Sequence, residues 1–316
     1  EDFSAGNICP HEFTLAKAKQ DRMNLLKECR ANFSPIFGLF SDPLGEVDAI
    51  LYEAMKDESF TVIEDNGIIN KAWRLNDTKK LARITEYFSD KKILIADGHH
   101  RYETALKYCK ENRSKVDDSA HVMMFLTNLD AQSLAVYPIH RLIKSPAPFD
   151  EADFMNQVEN YFSVGPISEG IEKNKIRKAL DSADAGDIVF YVYFGQGRGC
   201  FIKIKEKTNM LPLLATDESE ELMVLDVAQL HTIILKNILN IDTKEPNSQK
   251  YVTYKVDMIE ALGRVDSGEF DLAFFMNATR VNDVRNLAEK GIRLPQKATF
   301  FYPKLLSGLV INKFES

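Results

Sequence analysis

The hydrophobic pattern changes period repeatedly along the chain, from helical spacing to strand spacing and back. Helical spacing of apolar residues predicts helices over 17–31, 46–56, 77–88, 102–112, 151–161, 169–182, 218–239 and 282–290. Alternating or continuous apolar runs predict strands over 35–40, 60–64, 68–75, 91–96, 120–126, 133–143, 187–194, 200–205, 270–276, 298–302 and 308–311. Because both kinds of element alternate without a repeat, we predict an α+β fold with mixed sheets and flanking helices.

Two local signals refine this organisation. An Asn-Gly pair inside 65–67 separates two strand patterns and suits the positive φ angles of a tight hairpin turn. Two prolines within 145–149 disfavour both a helix and a sheet ladder. We therefore predict a phosphate-binding, catalytic subdomain over 1–145 and a second α+β subdomain over 146–316 that closes the cleft.

Composition narrows the class of protein. The 316 residues are 45% hydrophobic and 28% charged, which is typical of a globular chain. No run approaches the roughly 18 uncharged apolar residues of a membrane helix, and a net charge of −7 with interspersed charges argues against a nucleic-acid surface. The widely spaced Cys9, Cys29, Cys109 and Cys200 indicate reduced thiols and a cytoplasmic location. The first residue is Glu1 rather than Met, which indicates a fragment.

The densest cluster of reactive side chains follows the strand that ends at position 96. Asp97 and Gly98 predict a sharp turn before a helix, and the amides of a helix N-terminus attract anions such as phosphate. Gly98 permits close approach of the backbone to a ligand, and Arg101 can bind phosphate oxygens with two hydrogen bonds. His99 and His100 can donate hydrogen bonds or transfer protons near neutral pH.

Other interpretations of this cluster stay open. Asp97 can hold a metal ion or a substrate amine, or simply cap the helix while the two histidines lie on the polar surface. A third possibility makes Asp97, His99 and His100 ligands of a divalent metal in a phosphoesterase. The crowding of five such residues at one junction favours a functional site.

A second cluster contains His11 and Glu12, which follow a proline. An extended loop there would present a carboxylate, so Glu12 is the best candidate base outside the first cluster. Arg22 lies early in the following predicted helix, and His11 and Arg22 are candidate phosphate ligands. A solvated loop is the alternative for the His-Glu pair.

Five later residues are candidates for binding substrate. His140 and Arg141 end a predicted strand and could reach a carboxylate, although a core histidine and a surface arginine explain them equally well. Arg280 follows another strand and is a possible anion contact. Lys297 and Lys304 flank an aromatic strand and are available to a phosphate or a carboxylate. These residues belong to the site only if the two halves close on one cleft.

The longest motif gives a family resemblance. The run ADGHHRYETA at 96–105, together with PHEFT at 10–14, resembles the bacterial and archaeal family catalogued as domain of unknown function 1015. The resemblance spans about 7–312, and its further motifs lie at 21–22, 34–39, 138–141, 295–299 and 308–309. Members of that family carry an additional N-terminal segment with a Pro-Pro-Tyr-Asp-like motif.

The strand, turn and helix around 97–101 are also similar to the nucleotide site of the ParB and sulfiredoxin-like superfamily. This similarity implies a ParB/sulfiredoxin-like N-terminal part. Free serine kinases of that superfamily pair a Pro-His-Glu carboxylate with the Asp of an Asp-Gly-His turn. The resemblance therefore implies Glu12 as a base acting on a serine hydroxyl, Asp97 as a metal or substrate ligand, and His99, His100 and Arg101 as phosphate binders.

The expected function is phosphoryl transfer to a small hydroxy metabolite, with serine and O-phosphoserine as the leading pair. Mg²⁺ and a nucleotide, ATP or ADP, are the expected cofactors. Alternatives are a nucleotide-independent phosphatase of O-phosphoserine and a non-catalytic nucleotide-binding regulatory protein. The expected partner is a nucleotide or a small phosphorylated metabolite, without nucleic acid or membrane, and the oligomeric state stays open.

Overall fold

The computed structural model describes residues 1–14, 16–55, 60–64, 67–112, 117–131, 134–184, 186–205 and 219–314. It confirms the α+β class predicted from the sequence. Contacts divide the chain into two compact units. Unit 1 consists of Glu1–Pro10, Thr14–Ala135 and Pro303–Ser316, and unit 2 consists of His11–Phe13 and Val136–Tyr302. The domain boundary at residue 145 stays a prediction beside this division by contacts.

The helices are α1 (Ala16–Cys29), α2 (Glu46–Ala54), α3 (Thr78–Tyr87), α4 (His99–Asn112), α5 (Glu151–Val158), α6 (Lys173–Asp181), α7 (Glu220–Met223), α8 (Asp226–Gln229), a π-helix (Leu230–Ile238), α9 (Met258–Asp266) and α10 (Val281–Glu289). The strands are β1 (Ile8–Cys9), β2 (Ala31–Asn32), β3 (Ile36–Phe40), β4 (Phe60–Ile63), β5 (Ile69–Ala72), β6 (Ile93–Asp97), β7 (Met124–Asn128), β8 (Ala135–Tyr137), β9 (His140–Ile143), β10 (Phe162–Val164), β11 (Val189–Gly195), β12 (Arg198–Ile204), β13 (Val252–Lys255), β14 (Leu272–Phe275), β15 (Phe300–Tyr302) and β16 (Asn312–Lys313). Among the described helices, none is long and apolar enough to cross a membrane.

Unit 1 is built on a four-stranded sheet in the order β1-β6-β3-β7. Strand β6 is parallel to β1 and antiparallel to β3, and β3 is parallel to β7. All five residues of β3 are buried, as expected for a strand with both faces covered. Ile36, Ile95 and Tyr102 form a cluster that packs α4 against β3 and β6, so the end of β6 and the start of α4 are held together.

Unit 2 is built on a six-stranded antiparallel sheet in the order β10-β12-β11-β14-β9-β13. Leu180 of α6 and Val265 of α9 pack with Tyr191, Leu142 and Phe275 of the sheet in one buried cluster. Strand β8 pairs with β15 in a separate two-stranded sheet, whereas β9 belongs to the six-stranded sheet. Unit 2 therefore holds its strand-end residues on a rigid, well-packed sheet.

Most predicted elements are present, with ends shifted by a few residues. The hairpin predicted over 60–75 is confirmed as β4 and β5, and its turn residues Asp65 and Asn66 lie outside the described residues. The strand predicted over 133–143 is interrupted between β8 and β9 because Pro138 has no amide N–H for a ladder hydrogen bond. The strand predicted over 120–126 lies at β7, in the sheet of unit 1, while β9 belongs to the sheet of unit 2.

Three predictions of element boundaries were wrong for identifiable reasons. The helix predicted from residue 102 begins at His99, because Tyr102 N–H already donates to the carbonyl of Gly98. The long helix predicted over 218–239 is divided into α7, α8 and the π-helix, since Leu225 adopts an extended conformation. The last strand lies at β16 and not at 308–311. Short β1, β10 and β13 and helix α9 were not predicted.

Candidate functional site

The end of β6 and the start of α4 meet at Gly98. Its carbonyl accepts from Tyr102 N–H at 2.9 Å, so Gly98 is the N-cap of α4. Its φ of +97° is a left-handed conformation that only glycine adopts without strain. A Cβ placed on Gly98 would lie 2.9 Å from Nη2 of Arg101. The backbone conformation therefore favours glycine here, and a Cβ would displace the guanidinium that folds over it.

Two cations share one carboxylate at this point. Arg101 Nη2 donates to Asp97 Oδ2 at 2.8 Å, and Lys304 Nζ donates to Asp97 Oδ1 at 3.3 Å. Burial opposes ionisation of Asp97, but the Lys304 ammonium and the Arg101 guanidinium outweigh it and lower the pKa of Asp97 below its ordinary value. Asp97, Gly98, Arg101 and Lys304 with the first turn of α4 are called the Gly98 junction below. The two cations and one anion leave one positive charge in excess beside a helix N-terminus.

Arg101 has unused hydrogen-bonding capacity. Its Nε is buried and has no hydrogen-bond partner among the described residues. Burying a polar atom of a charged group without a partner costs free energy, so such atoms are uncommon unless a ligand or water satisfies them. The Gly98 junction therefore presents an oriented donor as well as excess positive charge.

The two histidines of the first turn differ in exposure. His99 is buried, with 4% of its surface exposed, while His100 is half-buried. Consecutive helical residues point in different directions, so the two rings do not face one point in space. His100 also contributes its carbonyl to a 2.7 Å hydrogen bond from Thr104 Oγ1. The catalytic and phosphate-binding roles of both histidines stay predictions.

A cavity of 390 Å³ in unit 1 adjoins the Gly98 junction through Arg101. Its wall is mostly apolar, with a few polar groups from Arg22, Asn32, Ser34 and Ser307. Pockets for small organic ligands have this composition, an apolar lining with a small number of oriented polar groups. The structure thus brings Arg22 and Arg101, two of the residues predicted from the sequence, to one cavity, which is called the Arg101 cavity below.

His11 and Glu12 belong to unit 2, where backbone contacts fix their positions. His11 is fully buried, and its Nε2 lies 2.9 Å from Thr299 Oγ1. Leu294 N–H donates to the carbonyl of His11 at 2.8 Å, and Arg293 Nη1 donates to the carbonyl of Glu12 at 3.2 Å. The solvated-loop alternative is therefore wrong for His11, and its role as a phosphate ligand stays a prediction.

Arg141 is buried in unit 2, with 1% of its surface exposed, so the surface-arginine alternative is wrong. Its guanidinium donates to the carbonyls of Ile139 and Lys297, while its Nε has no partner among the described residues. Burial lowers the pKa of Arg141 to about 10, an effect opposed by Tyr254, Asp226 and Glu12. The Glu12 carboxylate is thus one of the charges that stabilise this buried cation.

His140 is a buried core histidine, which was one of its two predicted interpretations. It is 1% exposed, and its ring lies 4.8 Å from that of Phe275. Burial, with a smaller contribution from Arg141, lowers its pKa to about 3, so the imidazole is neutral at physiological pH. A neutral core imidazole explains the position of His140 without a ligand.

The other three predicted substrate-binding residues, Arg280, Lys297 and Lys304, are exposed. Arg280 is the N-cap residue of α10. Lys297 has a φ of +59°, and its carbonyl accepts a hydrogen bond from Arg141.

Asp226 was missed by the sequence analysis, although a single acidic residue within the apolar run 222–235 was an available signal. Burial raises the pKa of Asp226 to about 6.

A metal ion at Asp97 does not fit the described residues. Both carboxylate oxygens are occupied by Arg101 and Lys304. No group of three or more His, Cys, Asp or Glu side chains in the described ranges has metal-binding geometry. The prediction of Asp97 as a resident Mg²⁺ ligand therefore disagrees with its contacts, and no step below is assigned to a metal.

Fold and site together define an α+β protein with a glycine-capped, cationic helix N-terminus next to an apolar cavity. The chain belongs to the family described as "Protein of unknown function (DUF1015)", whose model matches residues 1–228. This finding confirms the family resemblance given by the sequence motifs. No curated protein matches the sequence.

Several solved structures are similar to this chain. A conserved hypothetical protein from Pyrococcus furiosus is 14% identical, covering 95% of this chain and 91% of that chain with a TM-score of 0.45. A free serine kinase in complex with AMP is 14% identical over 95% and 88% of the two chains, with a TM-score of 0.47. SbnI with C-terminal truncation from Staphylococcus aureus is 8% identical over 97% and 84%, with a TM-score of 0.43. At these values the likenesses carry no argument, and the site is interpreted from its own geometry.

Proposed function

We propose that this chain binds a nucleotide in unit 1 and transfers a phosphoryl group to a small hydroxy metabolite, with free serine as the first acceptor to test. The nucleotide phosphates bind at the Gly98 junction, and the nucleoside occupies the Arg101 cavity. The observation that carries the proposal is the position of Arg101, which folds over Gly98 at the junction and also lines the cavity of 390 Å³.

Electrostatics support the phosphate subsite. A phosphate bears negative charge and strong acceptor oxygens, and the junction has one positive charge in excess at the N-terminus of α4. The unpartnered Nε of Arg101 supplies a donor that a phosphate oxygen would satisfy. His100 and Arg22 are proposed as further phosphate donors, since both are accessible at the surface.

Size and composition support the nucleoside subsite. The Arg101 cavity is large enough for a purine nucleoside, and Leu25, Leu26 and Val122 form part of its apolar wall. Asn32 and Ser34 add polar side chains that can recognise base or sugar groups. The cavity is thus better matched to a nucleotide than to a small phosphomonoester.

Glu12 of unit 2 is proposed as the general base for the acceptor hydroxyl. Its backbone carbonyl accepts a hydrogen bond from Arg293, and its carboxylate interacts electrostatically with the buried Arg141 cation, so the side chain is held near a fixed charge. Phosphoryl transfer depends mainly on positioning of the reacting groups and on neutralisation of the phosphoryl charge. A carboxylate with a fixed backbone and a cationic phosphate subsite suit this chemistry.

Binding is tested first, by isothermal titration calorimetry with AMP, ADP and ATP. The variant Arg101→Lys keeps the positive charge but loses the planar fork of donors, and we expect its affinity to fall at least tenfold. The control is Lys110→Met in the last turn of the same helix, where Lys110 pairs with Asp2 at 2.8 Å. Unchanged affinity in Arg101→Lys would contradict the proposed subsite.

Turnover is tested by phosphorus NMR in a buffer containing Mg²⁺. Serine is incubated with ATP or ADP, and O-phosphoserine is incubated alone. Nucleotide-dependent appearance of O-phosphoserine supports the kinase, whereas release of phosphate from O-phosphoserine alone would establish the phosphatase instead. If nucleotide binds and neither reaction occurs, the serine assignment is wrong and a regulatory nucleotide site is the better explanation.

A further inference from the structure

A second cavity, of 110 Å³, lies entirely within unit 2. Its wall comes from three parts of the chain: 183–184 and 186–189 between α6 and β11, 224–226 before and at the start of α8, and 277–280 with Asp283 between β14 and the first turn of α10. It is lined mainly by polar and charged side chains and is too small for a nucleotide. It is called the Asp226 cavity below.

Part of this polar wall has a structural role. Asp187 pairs with Lys203 at 2.6 Å, and Asn277 Nδ2 donates to the carbonyl of Leu180 at 2.7 Å. Thr279 Oγ1 donates to a backbone carbonyl at 2.9 Å. These contacts fix the shape of the cavity and leave a smaller set of side chains for a ligand.

The remaining charged groups have opposite signs and are not ion-paired. Arg280, Asp226 and Asp283 form no ion pair with a described residue, although all three line the cavity. They still act on one another through space, since Arg280 favours the ionised form of Asp226 and Asp283 opposes it. Asp184 adds a further carboxylate to the wall. Separated, unpaired opposite charges around a small cavity match a ligand that carries both signs.

The fold provides a second feature for the negative end of such a ligand. Arg280 is the N-cap residue of α10 and makes no side-chain capping hydrogen bond. The macrodipole of α10 attracts a carboxylate to this end, and the Arg280 guanidinium can bind it with two parallel hydrogen bonds. Asp226 and Asp283 supply acceptors for an ammonium group at the other end of the ligand.

We propose that the Asp226 cavity binds a small α-amino acid as its zwitterion, with the ammonium on Asp226 and Asp283 and the carboxylate on Arg280. The volume selects side chains of a few non-hydrogen atoms. Binding gives each of these charged groups a partner of opposite sign, which the described residues do not supply. This proposal does not depend on phosphoryl transfer, since the cavity is lined by unit 2 alone.

The test is isothermal titration calorimetry of the full chain with glycine and L-serine, and with methylamine and acetate as single-charge probes. We expect the two zwitterions to bind at least tenfold more tightly than either single-charge probe. L-tryptophan, which exceeds the cavity, should bind at least tenfold more weakly than glycine. Failure of both zwitterions to bind, or equal affinity for methylamine or acetate, would overturn the proposal.

Two variants locate the binding. Asp226→Asn and Arg280→Gln should each weaken glycine binding at least tenfold, while Arg285→Gln should not change it. Arg285 lies on the same helix and pairs with Glu289 at 2.8 Å, away from the cavity lining. Thermal melts confirm that each variant is folded, and nucleotide affinity measured in parallel separates this proposal from the one above. Undiminished glycine binding in both cavity variants would place the site elsewhere and overturn the assignment.

Discussion

The Lys304 ammonium lies 3.3 Å from Oδ1 of Asp97, although 207 residues separate the two positions. On the other side of the same carboxylate, Arg101 donates to Oδ2 at 2.8 Å. The long-range contact places a second cation at the N-terminus of α4, and this cation gives the Gly98 junction its positive excess. Lys304 should therefore contribute directly to the binding of an anion.

Replacement of Lys304 tests this contribution. In Lys304→Met we expect the nucleotide affinity to fall about fivefold, which corresponds to about 1 kcal/mol for a partly exposed charge. Calorimetric titration with ADP measures the change. Lys313→Met removes an exposed cation from the same segment of unit 1 and should leave the affinity unchanged. Equal affinities in the two variants would show that Lys304 serves Asp97 alone.

Gly98→Ala should lower both the stability of the chain and its affinity for nucleotide. At a φ of +97° an alanine is strained, and its Cβ would meet Nη2 of Arg101 at 2.9 Å. We expect the free energy of unfolding to fall by about 1–3 kcal/mol in urea denaturation, with loss of nucleotide binding. Gly6→Ala is the matched control, because Gly6 has a φ of +83° but open space around its Cα. A Gly98→Ala variant no less stable than Gly6→Ala would refute the steric argument.

Glu12→Gln separates catalysis from binding. Loss of a general base should lower kcat at least about 100-fold, whereas the nucleotide affinity should stay the same because the nucleotide subsites lie in unit 1. Steady-state assays and ADP titrations measure the two quantities. Glu169→Gln changes an exposed carboxylate of the same unit and should preserve both. A Glu12→Gln variant with full turnover would exclude Glu12 as the base.

Asp226→Asn should stabilise the chain at neutral pH. Burial raises the pKa of Asp226 from 3.8 to about 6 on folding, so the folded chain holds a proton that the unfolded chain releases between these values. The free energy of unfolding therefore falls as pH rises through this window, by about 3 kcal/mol. Denaturation at pH 4 and pH 7.5 should show a small difference between variant and parent at the lower pH and a larger one at the higher pH.

Asp257 should change the free energy of unfolding with pH in the opposite direction to Asp226. Hydrogen bonds from the backbone of Glu260 and Ile259 lower its pKa, so ionised Asp257 stabilises the folded state above its ordinary pKa. Protonation should remove this contribution as pH falls, which opposes the trend at Asp226. A stability gain in Asp226→Asn that does not grow with pH would contradict the proposed desolvation of this carboxylate.

The part of the Gly98 junction formed by residues 97–101 was predictable from the sequence, because its strand, turn and helix are contiguous and each has its own local signal. The hairpin of β11 and β12 was predictable for the same reason. The contacts of Lys304 and the burial of Arg141 were not, since both depend on residues far apart in sequence. Local patterns also gave no sign of β13, whose four residues owe their strand conformation to pairing with β9.

The return of Pro303–Ser316 to unit 1 has a consequence for synthesis on the ribosome. Strand β16 pairs with β2, and Phe314 completes the cluster of Met23, Leu26 and Tyr108. These contacts become available only after every residue of unit 2 has been translated. The first residues of unit 1 are therefore translated before unit 2 and its last segment after unit 2. A chain interrupted after residue 302 would leave unit 1, the earlier one to be translated, without strand β16.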